Sequence, residues 1–419
     1  MTAEQLKEII SQMTLEEKAA MCSGDDFWHT KAVERLGVPR SMVSDGPHGL
    51  RKQDQSGDHL GINDSIKAVC FPTACGTAAS FNRDLLYSMG QTLGQECQAE
   101  DVSVILGPAV NIKRSPLCGR NFEYYSEDPY LATEIATSQI NGVQSRHVGT
   151  SIKHFMANNQ ETRRMSSDSR IDERTMREIY LAAFEGAVKH AKPWTVMCSY
   201  NRINGTYAAE NKQLLTDILR DEWGFDGYVV SDWGAVNDRV EGVKAGLDLE
   251  MPASYGVNDA LIVKAVREGR LDEAVLDKAV ERILNIVYRF VENRDETAVF
   301  DRDKDHEMAR KVAEESIVLL KNDGILPLSE TDEIAFIGKF AKKPRFQGGG
   351  SSHINSHKID SAMDMVAGMA NITYAQGYDD AEDVIDEKMI AEAVEAAKKA
   401  KAAVILSLIH ISEPTRQAE

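Results

Sequence analysis

Short apolar runs alternate with longer amphipathic stretches from residue 42 to about residue 289, and this alternation restricts the possible folds more than any other feature of the chain. Strands buried on both faces of a parallel sheet have such continuous apolar sequences, and the helices that cover them carry one apolar stripe. The candidate strands are residues 42–43, 69–71, 103–106, 149–152, 195–198, 228–230 and 247–249. Residues 173–190, 211–223 and 272–290 have helical periodicity. Repeated βα units of this kind predict an α/β protein with a TIM-like (β/α)8-type barrel.

Polar side chains follow five of the candidate strands. They are Asp45, Asn111, Lys153-His154, Ser199-Tyr200 and Asp232-Trp233, after the first, third, fourth, fifth and sixth runs. The carboxyl ends of barrel strands meet on the face that carries the active site in barrel enzymes. We therefore expect these side chains to line one site.

A second α/β region follows the barrel. The charged residues 292–306 are typical of a solvated linker. Beyond them the pattern predicts helices at 307–321, 361–369 and 387–401 and strands at 334–337, 372–374 and 402–406. These elements indicate a doubly wound α/β domain with too few strands to be complete. The predicted domains are the barrel at residues 1–291, the linker at 292–306 and a partial α/β sandwich at 307–407.

The last residues, 408–419, do not continue this pattern. Pro414 follows a short apolar run where the next helix of an α/β domain is expected. We therefore expect a truncated reading frame with a foreign tail.

The charge balance excludes several classes of partner. With 48 Lys and Arg against 66 Asp and Glu residues, the formal net charge is −18, whereas nucleic acids and anionic membranes bind basic surfaces. No apolar run approaches the ~20 residues of a membrane span, and the first residues lack the basic and apolar regions of a secretory signal. We expect a cytoplasmic protein that binds neither nucleic acid nor membrane. Its oligomeric state stays open.

The 6 cysteines show neither a CxxC pair nor metal-finger spacing. Reduced cysteines in apolar stretches act as small hydrophobic residues, and disulfides are rare in the cytoplasm. We expect structural thiols, no metal site and no cofactor.

Four longer motifs add to this architecture. They are SDGPHGLR at residues 44–51, GRNFEYYSEDP at 119–129, KHFMANNQETRR at 153–164 and VVSDWGA at 229–235. In this order they resemble the family 3 glycoside hydrolases, in the β-glucosidase branch, over about residues 15–407. The resemblance implies a retaining β-glucosidase that hydrolyses terminal non-reducing β-D-glucosyl residues through a covalent glycosyl-aspartate intermediate. It also implies small oligosaccharides or aryl and alkyl β-glucosides as substrates.

The resemblance places the catalytic nucleophile at Asp232. A retaining glycosidase needs a carboxylate that attacks the anomeric carbon, and an Asp at the end of a barrel strand faces the mouth of the barrel. The alternative is a helix cap, because residues 234–236 look like a helix start and Asp is a good N-cap residue.

The same resemblance assigns sugar binding to Asp45, Arg120, Lys153, His154 and Arg164. Carboxylates accept strong hydrogen bonds from hydroxyl groups, and nearby cations keep carboxylates ionised. Asp45 has a turn as its alternative, since Asp-Gly-Pro favours turns. Arg163 stands beside Arg164, and the sequence leaves open which of the two is solvated.

Around the sugar the resemblance adds Trp233, Tyr200, Met197 and Ser351. Aromatic faces stack on pyranose rings, although core packing is an alternative for Tyr200 and Met197. Ser351, or its neighbour Ser352, falls in a Gly-rich loop that leans over the sugar in relatives. The loop has neither the Lys nor the spacing of a phosphate-binding loop, so we exclude that function.

The second carboxylate of the reaction is not identified. In β-glucosidases of this family the acid/base Glu lies in a motif resembling Glu-Ser-Glu-Gly after a strand like residues 402–406, and that motif is absent here. Glu413 lies near the expected place in a different context, and we assign it no role. We therefore expect a chain that lacks the acid/base and is inactive or weakly active.

Other functions stay open. A β-xylosidase differs only in a hydroxymethyl group of the substrate, which binding pockets discriminate modestly. A non-catalytic sugar-binding fragment fits the missing acid. A Schiff-base aldolase would use Lys153 but would leave Asp45 and Asp232 unexplained. The N-acetylglucosaminidase subfamily is excluded because KHFMANNQE replaces its KHFPGHG-like loop.

Overall fold

The computed structural model describes residues 1–53, 64–379 and 384–407. These residues form two compact units, which we call the barrel unit (residues 1–317 and 348–357) and the second unit (residues 318–347 and 358–407). The predicted tail at 408–419, including Glu413, lies outside the described residues. In the described ranges no helix combines the length and the apolar character needed to cross a membrane.

The strands of the barrel unit form a main parallel sheet and a small accessory sheet. In chain order they are β1 (Val43–Asp45), β2 (Val104–Leu106), β3 (Gly149–Phe155), β4 (Asp168–Ser169), β5 (Thr195–Cys198), β6 (Arg202–Ile203), β7 (Thr206–Tyr207) and β8 (Tyr228–Val230). The main sheet has the order β1-β2-β3-β5-β8, and the accessory sheet holds β4, β6 and β7. Every residue of the main strands is buried, as coverage on both faces requires.

Isolated bridges continue the main sheet beyond its two edges. Leu249 pairs with Val230 of β8, and the next residue, Glu250, pairs with Ser23. On the other side His29 pairs with Met42, directly before β1. These contacts lead from β8 back to β1, so the sheet closes into the predicted barrel.

Residues 69–71 form no strand of the barrel, although their apolar sequence predicted one. Val69 and Phe71 are buried, and Ala68 before them pairs with Ser356. Phe71 N donates a hydrogen bond to His48 O at 2.9 Å. Burial in a connecting segment produces the same apolar run as burial in a strand, and periodicity does not separate the two.

The helices of the barrel unit pack outside the main sheet. They are α1 (Ala3–Gln12), α2 (Leu15–Met21), α3 (Ala74–Ala78), α4 (Arg83–Ala99), α5 (Pro129–Gln144), α6 (Glu173–Thr175), α7 (Ala182–Ala191), α8 (Arg239–Ala245), α9 (Val257–Arg267), α10 (Glu273–Val291) and α11 (Arg302–Glu315). Two π-helical segments span Met176–Tyr180 and Gln213–Glu222, and 3₁₀ turns span Glu34–Leu36, Ala208–Glu210 and Gly350–Ser352. α4 and α5 approach closely at Gly90 and Gly142, which have no Cβ. A Cβ on either glycine would collide with the backbone of the other helix.

Helix α11 begins inside the stretch that the charge pattern predicted as a linker. Asp301 caps it, and the acidic residues that follow form its first turn, where they favour the helix N-terminus. Ala309 and Val312 pack in the core of the barrel unit. The second unit therefore begins later in the chain than the predicted domain start at residue 307, and residues 348–357 belong to the barrel unit.

The second unit contains a parallel sheet of its own. Its strands are β9 (Glu333–Ile337), β10 (Asn371–Ala375) and β11 (Ala402–Ile405) in the order β10-β9-β11, and its helices are α12 (Ala362–Met365) and α13 (Glu387–Lys399). Ala393 of α13 packs against Ile337 and Ala375. The first strand lies in the centre, as in a doubly wound sheet. The barrel and this sheet confirm the predicted fold class.

Candidate active site

The turn after β1 brings Asp45 and Arg51 together. Arg51 N donates a hydrogen bond to Asp45 O at 3.0 Å. Gly46 permits this turn, because its φ is +137° and a Cβ there would collide with Gly49 O. Arg51 Nη1 lies 3.8 Å from Asp45 Oδ2. The backbone of Asp45 therefore closes the turn, and its side chain belongs to the site. Arg51 was not predicted from the sequence.

Lys153 approaches the same carboxylate from β3. Its Nζ lies 3.5 Å from Asp45 Oδ1, and both side chains are buried. The Asp45 carboxylate therefore lies between two buried cationic side chains. The structure thus joins two residues that the sequence placed in the site, Asp45 and Lys153.

Asn111 holds the backbone of His154. Residues 108–110 extend β2 alongside β3, with Lys153 N donating to Pro108 O at 3.0 Å and Val110 N donating to Lys153 O at 2.8 Å. This pairing places Asn111 beside His154. His154 N donates to Asn111 Oδ1 at 2.8 Å, and Asn111 Nδ2 donates to His154 O at 2.9 Å.

A tight turn presents Arg120 and Glu123 on the same side. Glu123 N donates to Arg120 O at 3.0 Å, and the two fully buried side chains form an ion pair. Arg120 Nη2 lies 2.9 Å from His154 Nε2. Burial opposes the charge on Arg120, but the surrounding anionic groups, Glu123 first, raise its pKa well above the usual value. Glu123 was not predicted from the sequence, although the three-residue spacing between Arg120 and Glu123 within GRNFE is a possible signal of an ion pair.

Asp232 follows β8 and lies next to His154. His154 Nε2 is 3.7 Å from Asp232 Oδ2. Asp232 Oδ1 accepts a hydrogen bond from Trp233 N at 2.8 Å, whereas Oδ2 is buried and accepts none from the residues that the structure describes. The next helix, α8, is capped by Asp238. The helix-cap interpretation of Asp232 is therefore wrong.

Aromatic rings connect Asp232 to the rest of the site. Tyr200 OH donates to Trp233 O at 2.8 Å, and Trp233 Nε1 donates to Phe27 O at 2.9 Å. The Trp28 and Trp233 ring centroids lie 5.4 Å apart. The Arg164 guanidinium lies 4.4 Å from the centroid of the Tyr200 ring. Phe27 and Trp28 were missed because they lie outside every predicted element.

Met197 lies on β5 in the hydrophobic core. It pairs in register with Val230 of β8 and is buried in the hydrophobic cluster that contains Trp28 and Trp233. This burial among apolar side chains agrees with core packing, the alternative stated above for Met197.

The loop at residues 348–357, which carries Ser351, docks on the barrel unit. Ala68 N donates to Asn355 O at 3.1 Å, and His357 N donates to Ala68 O at 2.8 Å. Ile354 is fully buried, and its Cγ1 lies 3.0 Å from the place that a Cβ on Gly49 would take. The loop therefore rests on the turn after β1, and Ser351 is buried within it.

His48 belongs to the same turn and stays neutral. Burial, together with the positive charges of Lys153 and His353, lowers its pKa to about 4, although Glu123 acts in the opposite direction. Its ring lies edge-on to Phe122, with centroids 6.2 Å apart. His48 adds no charge to the site near pH 7.

The arrangement suits a polyhydroxylated ligand. Carboxylates accept hydrogen bonds from hydroxyl groups, cations donate to them, and aromatic faces cover C–H surfaces. The structure joins Asp45 to Lys153, His154 to Arg120 and Asp232, and Tyr200 to Arg164 and Trp233. In the described part of the chain, no group of three or more His, Cys, Asp and Glu side chains is placed to hold a metal ion.

Comparisons with known proteins agree with this chemistry. Residues 52–286 match the Glycosyl hydrolase family 3 N terminal domain, and residues 317–411 match the Glycosyl hydrolase family 3 C-terminal domain. The chain is 57% identical over 410 residues to thermostable beta-glucosidase B of Acetivibrio thermocellus, a match that covers 97% of this chain and 54% of the relative. It is 49% identical over 422 residues to an exo-alpha-(1->6)-L-arabinopyranosidase of Bifidobacterium longum, covering 96% of this chain and 55% of the relative.

A solved structure has the same fold as this chain. The GH3 beta-glucosidase of Bifidobacterium adolescentis superposes with a TM-score of 0.89 at 48% identity, covering 94% of this chain and 57% of that protein. The chain therefore spans little more than half the length of these similar proteins.

Proposed function

Because the chain belongs to glycosyl hydrolase family 3, we propose that its barrel unit binds a terminal β-D-glucosyl residue and that Asp232 is the nucleophile of a retaining β-glucosidase. The observation that carries this proposal is the asymmetry of the Asp232 carboxylate. Trp233 N holds Oδ1, and Oδ2 has no hydrogen-bond donor among the described residues. The similarity to a beta-glucosidase supports the substrate class.

In the proposed reaction Asp232 Oδ2 attacks the anomeric carbon of the sugar. The bond between that carbon and the glycosidic oxygen breaks, the leaving oxygen takes up a proton, and a glycosyl ester forms. Water then attacks the same carbon, releases glucose with retained configuration and restores the carboxylate. The bond from Trp233 N orients the carboxylate before the attack, so its alignment costs nothing during the reaction.

The remaining residues bind the hydroxyl groups of the sugar. Asp45 accepts hydrogen bonds from two hydroxyls while Lys153 and Arg51 hold it in place. Trp233 and Tyr200 cover apolar C–H surface. A sugar bound in this way presents its anomeric carbon to Asp232, which converts the attack into a step within one complex.

We place the proton donor for the leaving group outside these side chains. Three carboxylates among the described residues that carry the site motifs are each ion-paired: Asp45 with Lys153, Glu123 with Arg120 and Glu161 with Arg164. A carboxylate held by a cation favours its ionised form and donates no proton.

A second candidate is a five-carbon pyranosidase, as in a β-xylosidase. The exo-alpha-(1->6)-L-arabinopyranosidase at 49% identity favours it, because arabinopyranose, like xylopyranose, lacks the hydroxymethyl group of glucose. Comparing the labelling or release rates of aryl glucosides, xylosides and arabinopyranosides separates the candidates. The aldolase alternative loses support, since Lys153 forms an ion pair with Asp45, whereas a Schiff base needs an uncharged amine.

The test is covalent labelling with 2-deoxy-2-fluoro-β-D-glucosyl fluoride, whose leaving group needs no protonation. We expect one adduct per chain on the peptide that contains Asp232, and none in Asp232→Asn. Asp238→Asn is the matched control, because Asp238 caps α8 and contacts no group of the site, and it should label like the unmodified chain. A label on another carboxylate, or no label in a chain that binds glucose, contradicts the assignment; the second outcome indicates a non-catalytic sugar-binding protein.

A further inference from the structure

His154 Nε2 has two neighbours that require opposite protonation states. We propose that Glu123 is a positioning residue that acts through Arg120: it makes His154 Nε2 a hydrogen-bond acceptor, keeps the imidazole neutral and stops it from donating a proton to Asp232. This inference deepens the proposed function, because it concerns the nucleophile assigned above. It assigns a role to Glu123 through its ion pair with Arg120.

The first neighbour is a donor only. Arg120 Nη2 lies 2.9 Å from His154 Nε2, and a guanidinium carries N–H groups but no acceptor. The hydrogen bond therefore forms only when Nε2 carries its lone pair, so the single imidazole proton must be on Nδ1. A second proton on Nε2 would place two cations and two donors against each other in a buried site.

The second neighbour is an acceptor. Asp232 Oδ2 lies 3.7 Å from the same nitrogen, and a protonated Nε2 would pair with it. That hydrogen bond would occupy the oxygen that attacks the sugar and lower its nucleophilicity. The partner of Nε2 therefore decides whether the nucleophile is available.

Glu123 decides between the two partners. It forms an ion pair with Arg120, and neither side chain has any exposed surface. A buried guanidinium that loses its carboxylate moves towards other anions or disrupts its surroundings. Glu161 and Asp232 are the other carboxylates that act on Arg120, so without the charge of Glu123 the guanidinium leaves Nε2 for one of them.

The remaining groups around His154 do not take over this role. The ammonium group of Lys153 pairs with Asp45, and the side-chain amide of Asn111 forms hydrogen bonds with the backbone N–H and C=O of His154. The Tyr124 ring lies edge-on to the imidazole with centroids 6.3 Å apart, and its hydroxyl donates to Asn158 O at 3.2 Å. Arg120 is thus the guanidinium that lies within hydrogen-bond distance of Nε2.

The experiment measures the rate of labelling by 2-deoxy-2-fluoro-β-D-glucosyl fluoride against pH in the full 419-residue chain. We expect a flat profile for the unmodified chain between about pH 5.5 and 7.5, because its imidazole stays neutral. In Glu123→Gln the rate should fall about tenfold towards the acidic end, the range in which a free imidazole takes up its proton. Adding His154→Asn to Glu123→Gln removes the titrating ring and should make the profile flat again. A flat profile for Glu123→Gln, or a sloping one for the double variant, overturns the proposal.

A spectroscopic measurement on the unmodified chain covers the case in which Glu123→Gln does not fold. Long-range ¹H–¹⁵N imidazole spectra, assigned by the signals lost in His154→Asn, should show the proton of His154 on Nδ1 at neutral pH. A proton on Nε2, or an imidazolium, overturns the proposal. This readout needs no labelling, so it separates failure of this inference from failure of Asp232 as the nucleophile.

Discussion

Arg163 and Arg164 are neighbours in the chain, yet the structure gives them different surroundings. Arg164 stacks on Tyr200 and pairs with Glu161 at 2.9 Å, and its side chain is 17% exposed. Arg163 is exposed, with a positive φ of 52° that turns the chain. The sequence left open which arginine is solvated. Arg164 is therefore the less exposed of the two, and its contacts with Tyr200 and Glu161 support our proposal that it binds the sugar.

The residue-scale prediction follows from this difference. Arg164→Ala should weaken glucose binding roughly tenfold or more, because a charged hydrogen bond contributes about 1.5–3 kcal/mol. Arg163→Ala is the matched control, and its glucose affinity should stay within about twofold of the unmodified chain. Isothermal titration with glucose measures both. Equal losses in the two variants would remove Arg164 from the site.

Helices α4 and α11 meet around a pair of acidic residues. Burial and the nearby carboxyl of Asp305 raise the pKa of Glu96 well above its usual value, with Glu100 adding to the rise and Arg302 opposing it. Burial and Asp301 raise the pKa of Asp305 to about 6, opposed by Lys304 and Glu96. The folded chain therefore binds protons here more tightly than the unfolded chain does. Each carboxyl contributes its full stability below the pKa of the unfolded chain, about 4, and loses it as the pH rises through its own folded pKa, which for Asp305 is about 6.

The element-scale prediction is a pH-dependent gain in stability for Glu96→Gln. The introduced amide stays neutral at every pH. At about pH 8 the free energy of unfolding of the variant should therefore exceed that of the unmodified chain by on the order of 1–3 kcal/mol, the cost of burying a polar group without a hydrogen-bond partner. At about pH 3.5, where Glu96 is protonated in both the folded and the unfolded chain, the two should agree. Urea unfolding of the barrel unit at both pH values measures this difference. Glu307→Gln, on the exposed side of α11, is the control and should change stability by no more than ~0.5 kcal/mol at either pH. A gain for Glu96→Gln that is equal at both pH values would contradict the argument.

The molecule as a whole combines a barrel unit that holds the proposed nucleophile with a second unit built around a parallel sheet. Asp45, Glu123 and Glu161 are ion-paired, so we expect these described residues to attack a sugar more readily than they protonate a leaving group. A general acid contributes roughly 10²–10⁴-fold to such a reaction. The nature of the leaving group should therefore control the rate.

The whole-molecule prediction concerns three substrates. A dinitrophenyl β-glucoside should release about one equivalent of dinitrophenolate rapidly and then turn over slowly, because departure of this group needs no proton. Methyl β-glucoside and cellobiose should react roughly 10²-fold more slowly or not at all. Asp232→Asn should lose the rapid release, and added azide should speed the slow phase by attacking without proton removal. Efficient cellobiose hydrolysis would show that a general acid exists within the chain.

Local sequence patterns alone determined most of the fold and half of the site. The alternation of apolar runs with amphipathic helices predicts the barrel, because both periodicities follow from backbone geometry. Asp45, Lys153, His154 and Asp232 were identified because each follows an apolar run in the sequence, and the structure places them in the last residues of a strand or just beyond it. Such signals lie within a few residues of the position that they describe.

The tertiary structure alone decided the partners of these residues. Glu123 and Arg51 carry no strand-end signal, and their roles depend on the folding of one turn around each. The loop with Ser351 docks through Ala68 and Ile354, on a segment nearly 290 residues away in the chain. The apolar residues 69–71 form a buried connection rather than a strand. Contacts between distant segments depend on how the whole chain packs, and no local periodicity encodes them.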